Sequence, residues 1–239
     1  MDMAIFDQAE FQVRCEWGLR GLSELAPVSG VLIVIDVLSF TTALDIATGR
    51  GAVVFPYPLK GESAAEYAAL REAQLACGDR SGGVSLSPAS LVGLAAGTRL
   101  VLPSPNGSAL SFHADHPAVF AACLRNASAV ARAAAGMGST FAVIAAGETW
   151  PSGELRPALE DLIGAGAVIA GLPGTRSPEA EMAAGCFEHF RANLAAALRR
   201  SSSGKELMAR GFAADVELAA ELDASANVPR LLDRAFVST

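Results

Sequence analysis

The sequence predicts an α/β fold, a layered α/β/α arrangement around a largely parallel or mixed sheet. Two observations carry this. Short β-branched runs alternate with Ala/Leu-rich segments of helical length up to residue 145, the pattern of successive βα units. Hydrophobic residues make up 51% of the 239 residues and charged ones 18%, enough apolar surface to close a sizeable core.

Taken in chain order, strands are expected at 31–36, 52–55, 99–102, 118–121 and 140–145. The helices between and after them are expected at 40–49, 61–74, 88–96, 106–114 and 126–137. Ser87-Pro88 reads as an N-cap followed by a first helical residue, and Asn126 as the N-cap of an Ala-rich run. After residue 150 the reading is mainly helical, at 157–171, 178–199, 204–210 and 213–222, with "RRSSSGK" at 199–205 as a loop or hinge. The chain reads as one domain over 1–239. A lobe division would fall near 150, although the C-terminal helices fit equally well on the same sheet.

Charge and composition narrow the partners. A net charge of −7 argues against a nucleic-acid partner, which needs a basic face, and only Lys60 and Lys205 are lysines. A phosphate site must therefore use arginine, backbone N–H groups or a bound cation. No apolar run reaches the roughly 18 residues of a membrane helix, and "MDMAIFDQAEFQVRCEWG" has early acids and no basic stretch. The expectation is a cytoplasmic protein without a membrane partner. Cys15, Cys77, Cys123 and Cys186 show no metal-ligand spacing and are expected to be reduced, mostly buried small hydrophobes. The His113/His116 pair precedes Pro117 and reads as surface. The Ala/Leu/Val content would suit a homodimer, which no motif requires.

In parallel sheets, ligands gather where strands hand over to helices, and four such junctions carry polar residues. "IDVLSFTT" places Asp36, Ser39, Thr41 and Thr42 after an apolar strand. "ACGDRSGG" places Asp79 and Arg80 between glycines, and "VLPSPNGSAL" leads through Asn106, Gly107 and Ser108 into a helix. "IAAGETW" sets Glu148 past a strand. Singly, each also fits a local role: a helix cap, an Asn-Gly turn, an exposed loop or a surface ion pair. Jointly, they fall at one kind of junction and three carry an acid. A fifth feature is "RPALEDLIGAGAVIAGL", where Asp161 has Ala158, Gly164, Ala165 and Val168 on its helical face. A carboxylate there needs a partner such as a cation, while Arg156 could pair with Glu160 at i,i+4.

Asp36, Glu148 and Asp161 together, with Asp79 a further candidate, would form a hard oxygen-ligand site of the kind Mg²⁺ uses. Ser39, Thr41, Thr42, Arg80 and the Asn106–Ser108 turn would hold an anionic oxygen beside it. Metal, anion cradle and acids point to phosphoryl transfer to water. No P-loop or dinucleotide fingerprint is present.

The blocks "VIDVLSFTTA", "GDRSGG", "LPSPNGSAL", "RNASAVA", "EDLIGAG" and "SSSGKELMARGFAADVELAAELDASANVP" resemble, in this order, the 2-phosphosulfolactate phosphatases of coenzyme M biosynthesis, over residues 31–231. The resemblance implies an α/β fold with a cleft between two lobes. It also implies Mg²⁺-dependent hydrolysis of (2R)-2-phospho-3-sulfolactate, a small anionic phosphoester, to 3-sulfolactate and phosphate. It places Asp36 in the metal and phosphate centre, matches Asp79-Arg80 and Asn106-Gly107-Ser108 to family turns, and matches Glu160-Asp161 to a helical Glu-Asp pair. On these grounds Asp36, Asp79 and Asp161 are the catalytic candidates. Ser39 stands where many members carry arginine, and Asp79 where they carry glutamate, so the sulfonate contact is the part most open to change. Two other readings remain at this point: a non-catalytic anion-binding protein on the same fold, and a hydrolase or lyase using Asp36 as nucleophile.

Overall fold

Side-chain alternation sets the layers. The computed structural model describes residues 5–80 and 82–239, so the first four residues of the acidic start and Ser81 of the Gly-rich turn lie outside the described residues. Its strands are β1 (Val13–Trp17), β2 (Val31–Ile35), β3 (Val53–Tyr57), β4 (Gln74–Leu75), β5 (Arg99–Pro103), β6 (Val119–Ala122), β7 (Phe141–Ala145), β8 (Glu148–Thr149), β9 (Leu155–Arg156), β10 (Pro229–Leu232) and β11 (Ala235–Ser238). The helices of the first half are α1 (Gly18–Leu25), α2 (Phe40–Gly49), α3 (Glu62–Leu70), α4 (Pro88–Leu91), α5 (Gly107–His113) and α6 (Ala127–Ala135). Those of the second half are α7 (Leu159–Gly171), α8 (Pro178–Phe190), α9 (Leu194–Arg200), α10 (Ser202–Ala209) and α11 (Ala213–Ala219).

Nine strands form one sheet in the order β1-β7-β2-β6-β10-β11-β3-β5-β4. On β2, Val31, Ile33 and Ile35 pack with α6, α7 and α8, while Leu32 and Val34 pack with α1 and α5 on the other face. On β5, Leu100 and Leu102 join α2 and α4, and Val101 joins α3. The period of two thus places helices on both faces.

The sheet is two parallel blocks of opposite sense. β1, β7, β2 and β6 run parallel to one another, as do β3, β5 and β4. The hairpin β10–β11 joins them, pairing antiparallel with β6 at Arg230–Phe120 and with β3 at Phe236–Val54. Strand twist accumulates across the intervening strands, and carboxyl ends from both blocks come to line one cleft.

The five expected strands are present, with ends within two residues. Among the described residues six more were not anticipated: β1, β4, the two-residue pair β8–β9, and β10–β11. β1 and β4 are short edge strands, and β1 carries two charges in five residues. The β10–β11 turn is Asp233-Arg234, both at positive φ (48° and 67°), the two-residue geometry that usually announces itself as Asn-Gly. The helix expected at 178–199 breaks into α8, a 3₁₀ turn at Arg191–Asn193, and α9. The expected hinge is a capped junction, where Ser201 Oγ accepts from Gly204 N at 3.1 Å. Asn126 does not cap α6; its Oδ1 accepts from Cys123 N at 2.9 Å. The chain on either side of residue 150 shares one sheet, with α7 and α8 packed on its parallel strands.

Among the described residues no helix is long and apolar enough to cross a membrane. Cys15 and Cys123 are buried, Cys186 is half-buried, and Cys77, exposed, lines the cleft. His113 is exposed, and the His116 ring bonds to Ser29 O at 2.9 Å.

The α7–α8 contact depends on Gly166, where an added Cβ would lie 2.0 Å from the Ala183 carbonyl oxygen. Gly166→Ala should cost at least about 2 kcal/mol, read as a lower urea midpoint with unchanged slope.

Candidate functional site

Asp36 follows the last residue of β2, in the wall of a cleft of about 400 Å³. It is buried, and both carboxylate oxygens accept backbone N–H groups: Oδ1 from Phe40 at 3.2 Å and Oδ2 from Gly107 at 2.7 Å. The turn beneath it is tied by Thr41, whose Oγ1 donates to Asp36 O at 2.8 Å and accepts from Asp36 N at 3.0 Å. Thr42 Oγ1 donates to Val37 O at 2.7 Å. Both threonines are fully buried and absent from the cleft wall, so they fix the turn that aims Asp36. Gly107 must be glycine for a steric reason. A Cβ there would sit 2.7 Å from Asp36 Oδ2 and from the Phe40 ring, closing the space through which its N–H reaches the carboxylate.

Asp161 lies in the first turn of α7, fully buried. Its Oδ1 accepts from Val37 N and its Oδ2 from Gly147 N, each at 2.8 Å. The partner that the apolar helix face demanded is thus a pair of amides at the ends of β2 and β7. Asp161 stands behind the cleft wall, fastening the loop that carries Asp36 to the loop that carries Glu148. Its neighbour Glu160 is buried, with Oε2 lacking a hydrogen-bond partner among the described residues. Arg156 does not supply one in the expected i,i+4 manner: it precedes α7, on β9, and donates to Ser203 Oγ at 3.1 Å.

The remaining residues divide between cleft and scaffold. Glu148 and Asn106 line the cleft, joined by Asn106 Nδ2 donating to Glu148 Oε2 at 2.8 Å. Ser39 and Arg80 also line it, with Arg80 Nη2 donating to Ser39 Oγ at 3.0 Å. Ser108 does not; its fully buried Oγ donates to Leu102 O and accepts from Tyr57 N, stitching β5 to β3. Asp79 is exposed and outside the cleft wall. The ion pair of Arg80 is with Asp215, at 2.9 Å, and Asp215 also accepts from Ser87 Oγ at 2.6 Å and Ala89 N at 3.0 Å.

Burial and mutual repulsion govern the charges. Burial raises Asp36 above the ordinary carboxylate range, against the lowering effect of the Gly107 and Phe40 amides and of Arg80. Burial, then Asp36 and Glu160, raise Asp161 well above it. Burial and the Asp36 charge raise Glu148 to about 7. Burial lowers Arg80, which Asp215 counteracts. Such a cluster asks for positive charge. Among the described residues no three His, Cys, Asp or Glu side chains are grouped as a metal-ligand set. The donor set at the cleft, Asp36 and Glu148 with the orphaned Glu160 oxygen near them, suits a hard cation that takes one or two carboxylates and fills its shell with water and substrate oxygens, as Mg²⁺ does.

Lys60, Ser203, Glu206 and Arg210 line the cleft and, like Asp215, received no role from the sequence. Four of these five fall in the long C-terminal block, which no strand-to-helix junction marks. Lys60 sits in the loop between β3 and α3, a strand-to-helix junction, and its being one of two lysines was a second signal.

A family model described as 2-phosphosulpholactate phosphatase matches residues 21–234. The 2-phosphosulfolactate phosphatase of Methanothermobacter thermautotrophicus is 31% identical over 206 residues, 84% of this chain and 86% of the relative. Proteins named probable 2-phosphosulfolactate phosphatase from Gloeobacter violaceus and Deinococcus radiodurans are also 31% identical. They match over 211 and 215 residues, covering 83% and 84% of this chain and 86% and 88% of their own.

Two outcomes follow from this geometry. Asp215→Ala strands the Arg80 guanidinium, only 11% exposed, and should destabilise the fold by about 3–5 kcal/mol in chemical denaturation. In chelator, the folded protein binds more protons than the unfolded chain between pH 4.5, the ordinary Glu value, and about 7. Stability is therefore greatest at the acid end of that window and falls as pH rises through it. Glu148→Gln should remove its share of the fall, up to about 3 kcal/mol, as a flatter plot of stability against pH.

Proposed function

The chain belongs to the 2-phosphosulfolactate phosphatase family, and on that premise we propose that it is a Mg²⁺-dependent phosphatase of small phosphorylated hydroxy acids, converting (2R)-2-phospho-3-sulfolactate and water to 3-sulfolactate and phosphate. The observation that carries this reading is Asp36. It is a buried carboxylate held rigidly by two amides at a cleft wall, with the Arg80 guanidinium in the same wall.

Asp36 and Glu148 would hold the cation, which neutralises phosphoryl charge and lowers the pKa of a bound water. The chain's own residues supply orientation. Asn106 fixes the Glu148 carboxylate by donating to it. Among the described residues Arg80 spends three N–H groups on Asp215, Leu86 O and Ser39, which leaves Nε–H and one Nη2–H for phosphoryl oxygens. Ser39 Oγ accepts from Arg80, so its own proton is available to the same anion. Asp161 is a positioning residue, holding Val37 and Gly147 and through them the two carboxylate-bearing loops.

The purified protein should release phosphate from 2-phospho-3-sulfolactate, lose the activity in EDTA and regain it with Mg²⁺. Asp36→Asn should lower kcat at least about 100-fold while the circular dichroism spectrum stays native. No phosphate release from a panel of 2-phospho acids under Mg²⁺, or full activity in Asp36→Asn, overturns the assignment.

A further inference from the structure

The phosphoryl chemistry leaves part of the cleft wall unused. Lys60, in the loop after β3, and Arg210, at the C-terminal end of α10, line the same cleft as Asp36 and Arg80. Lys60 is one of two lysines in a chain of net charge −7. Among the described residues it has no hydrogen bond, ion pair or ring contact. Arg210 makes one exposed pair with Glu206 at 3.2 Å, the weak i,i+4 kind that a ligand readily displaces. Its guanidinium lies 5.8 Å from the Phe212 ring, and the Arg80 guanidinium is also 5.8 Å from that ring. Phe212 therefore holds two like charges near each other at one cleft. Only Arg80 has a buried carboxylate to compensate it, and the charge of Arg210 acts on Arg80 in the unfavourable sense.

A cleft of about 400 Å³ also extends well beyond the space of one phosphoryl group. An acidic protein that places an unpartnered lysine and a weakly partnered arginine there presents a surface for negative charge beyond the phosphoryl group. We propose that Lys60 and Arg210 form a second-anion subsite, which binds the substrate's other oxyanion and selects small phosphoesters with an acidic tail over those without one.

This proposal rests on the phosphatase reading for its kinetic arm, and a binding arm separates the two. Calorimetric titration with 3-sulfolactate, malate and lactate, with Mg²⁺ present, reads the subsite without turnover. The wild-type chain should bind 3-sulfolactate at least about tenfold more tightly than lactate, the worth of one charge-assisted hydrogen bond. Lys60→Met and Arg210→Met should each erase most of that preference. Malate binding as tightly as 3-sulfolactate assigns the subsite to oxyanions in general, and malate binding like lactate assigns it to sulfonate. In the kinetic arm, each substitution should narrow the KM difference between 2-phospho-3-sulfolactate and 2-phospholactate, with the larger change for the sulfonated ester. Equal binding of 3-sulfolactate and lactate by the wild type, or equal KM changes for both esters, overturns the subsite. Discrimination in the titration without hydrolysis of any ester upholds the subsite and overturns the phosphatase reading.

Discussion

The hydrogen bond from Gly107 N–H to Asp36 Oδ2 is the contact on which the site depends. Asp36 ends a strand of one parallel block, and Gly107 opens the helix after β5 in the other. The two blocks run in opposite senses, and this bond is where the residue after β2 meets the first residue of the helix that follows β5. A carboxylate is a costly tie at such a place, since burial disfavours its charge. The amides of Gly107 and Phe40 offset part of that cost.

Around that tie the protein separates two tasks that look alike in sequence. Asp36 and Asp161 are both buried acids with two amide partners each. Asp36 keeps an edge in the cleft, whereas Asp161 spends its oxygens on Val37 and Gly147 and serves as a bracket between loops. Thr41, Thr42 and Ser108 divide from Ser39 in the same way, three hydroxyls turned inward to backbone carbonyls and one toward the guanidinium. The carboxyl groups of Asp36, Glu148 and Asp161 repel one another when ionised. Whatever supplies positive charge, a cation or Arg80, is favoured by relieving that repulsion.

The architecture was legible where the hydrophobic period was strong. The runs at 31–36 and 140–145 are central strands buried on both faces, and no competing reading of such β-branched runs survives packing. β10 and β11 were hidden because their turn, Asp233-Arg234, uses left-handed backbone without the glycine that normally marks it. The junction rule found Asp36, Ser39, Arg80, Asn106 and Glu148, which line the cleft, because these follow strands directly. It also swept in Thr41, Thr42 and Ser108, since residue type alone does not say which way a hydroxyl turns. It passed over Lys60, although the loop after β3 is such a junction, and it could not find Ser203, Arg210 or Asp215, which reach the site from helices far along the chain. Asp215 meets Arg80 across 135 residues, a pairing that only the tertiary fold creates.

The position of β10–β11 bears on how the molecule comes into being. Its last strands sit in the middle of the sheet, between β6 and β3, with every other strand already made before them. During synthesis, the nascent chain must therefore carry two half-sheets with open inner edges, surfaces prone to sticking to other chains. The halves are joined only once residues 229–238 have been made. Joining of the two half-sheets thereby waits for this hairpin, so a chain terminated before residue 229 is a candidate for degradation.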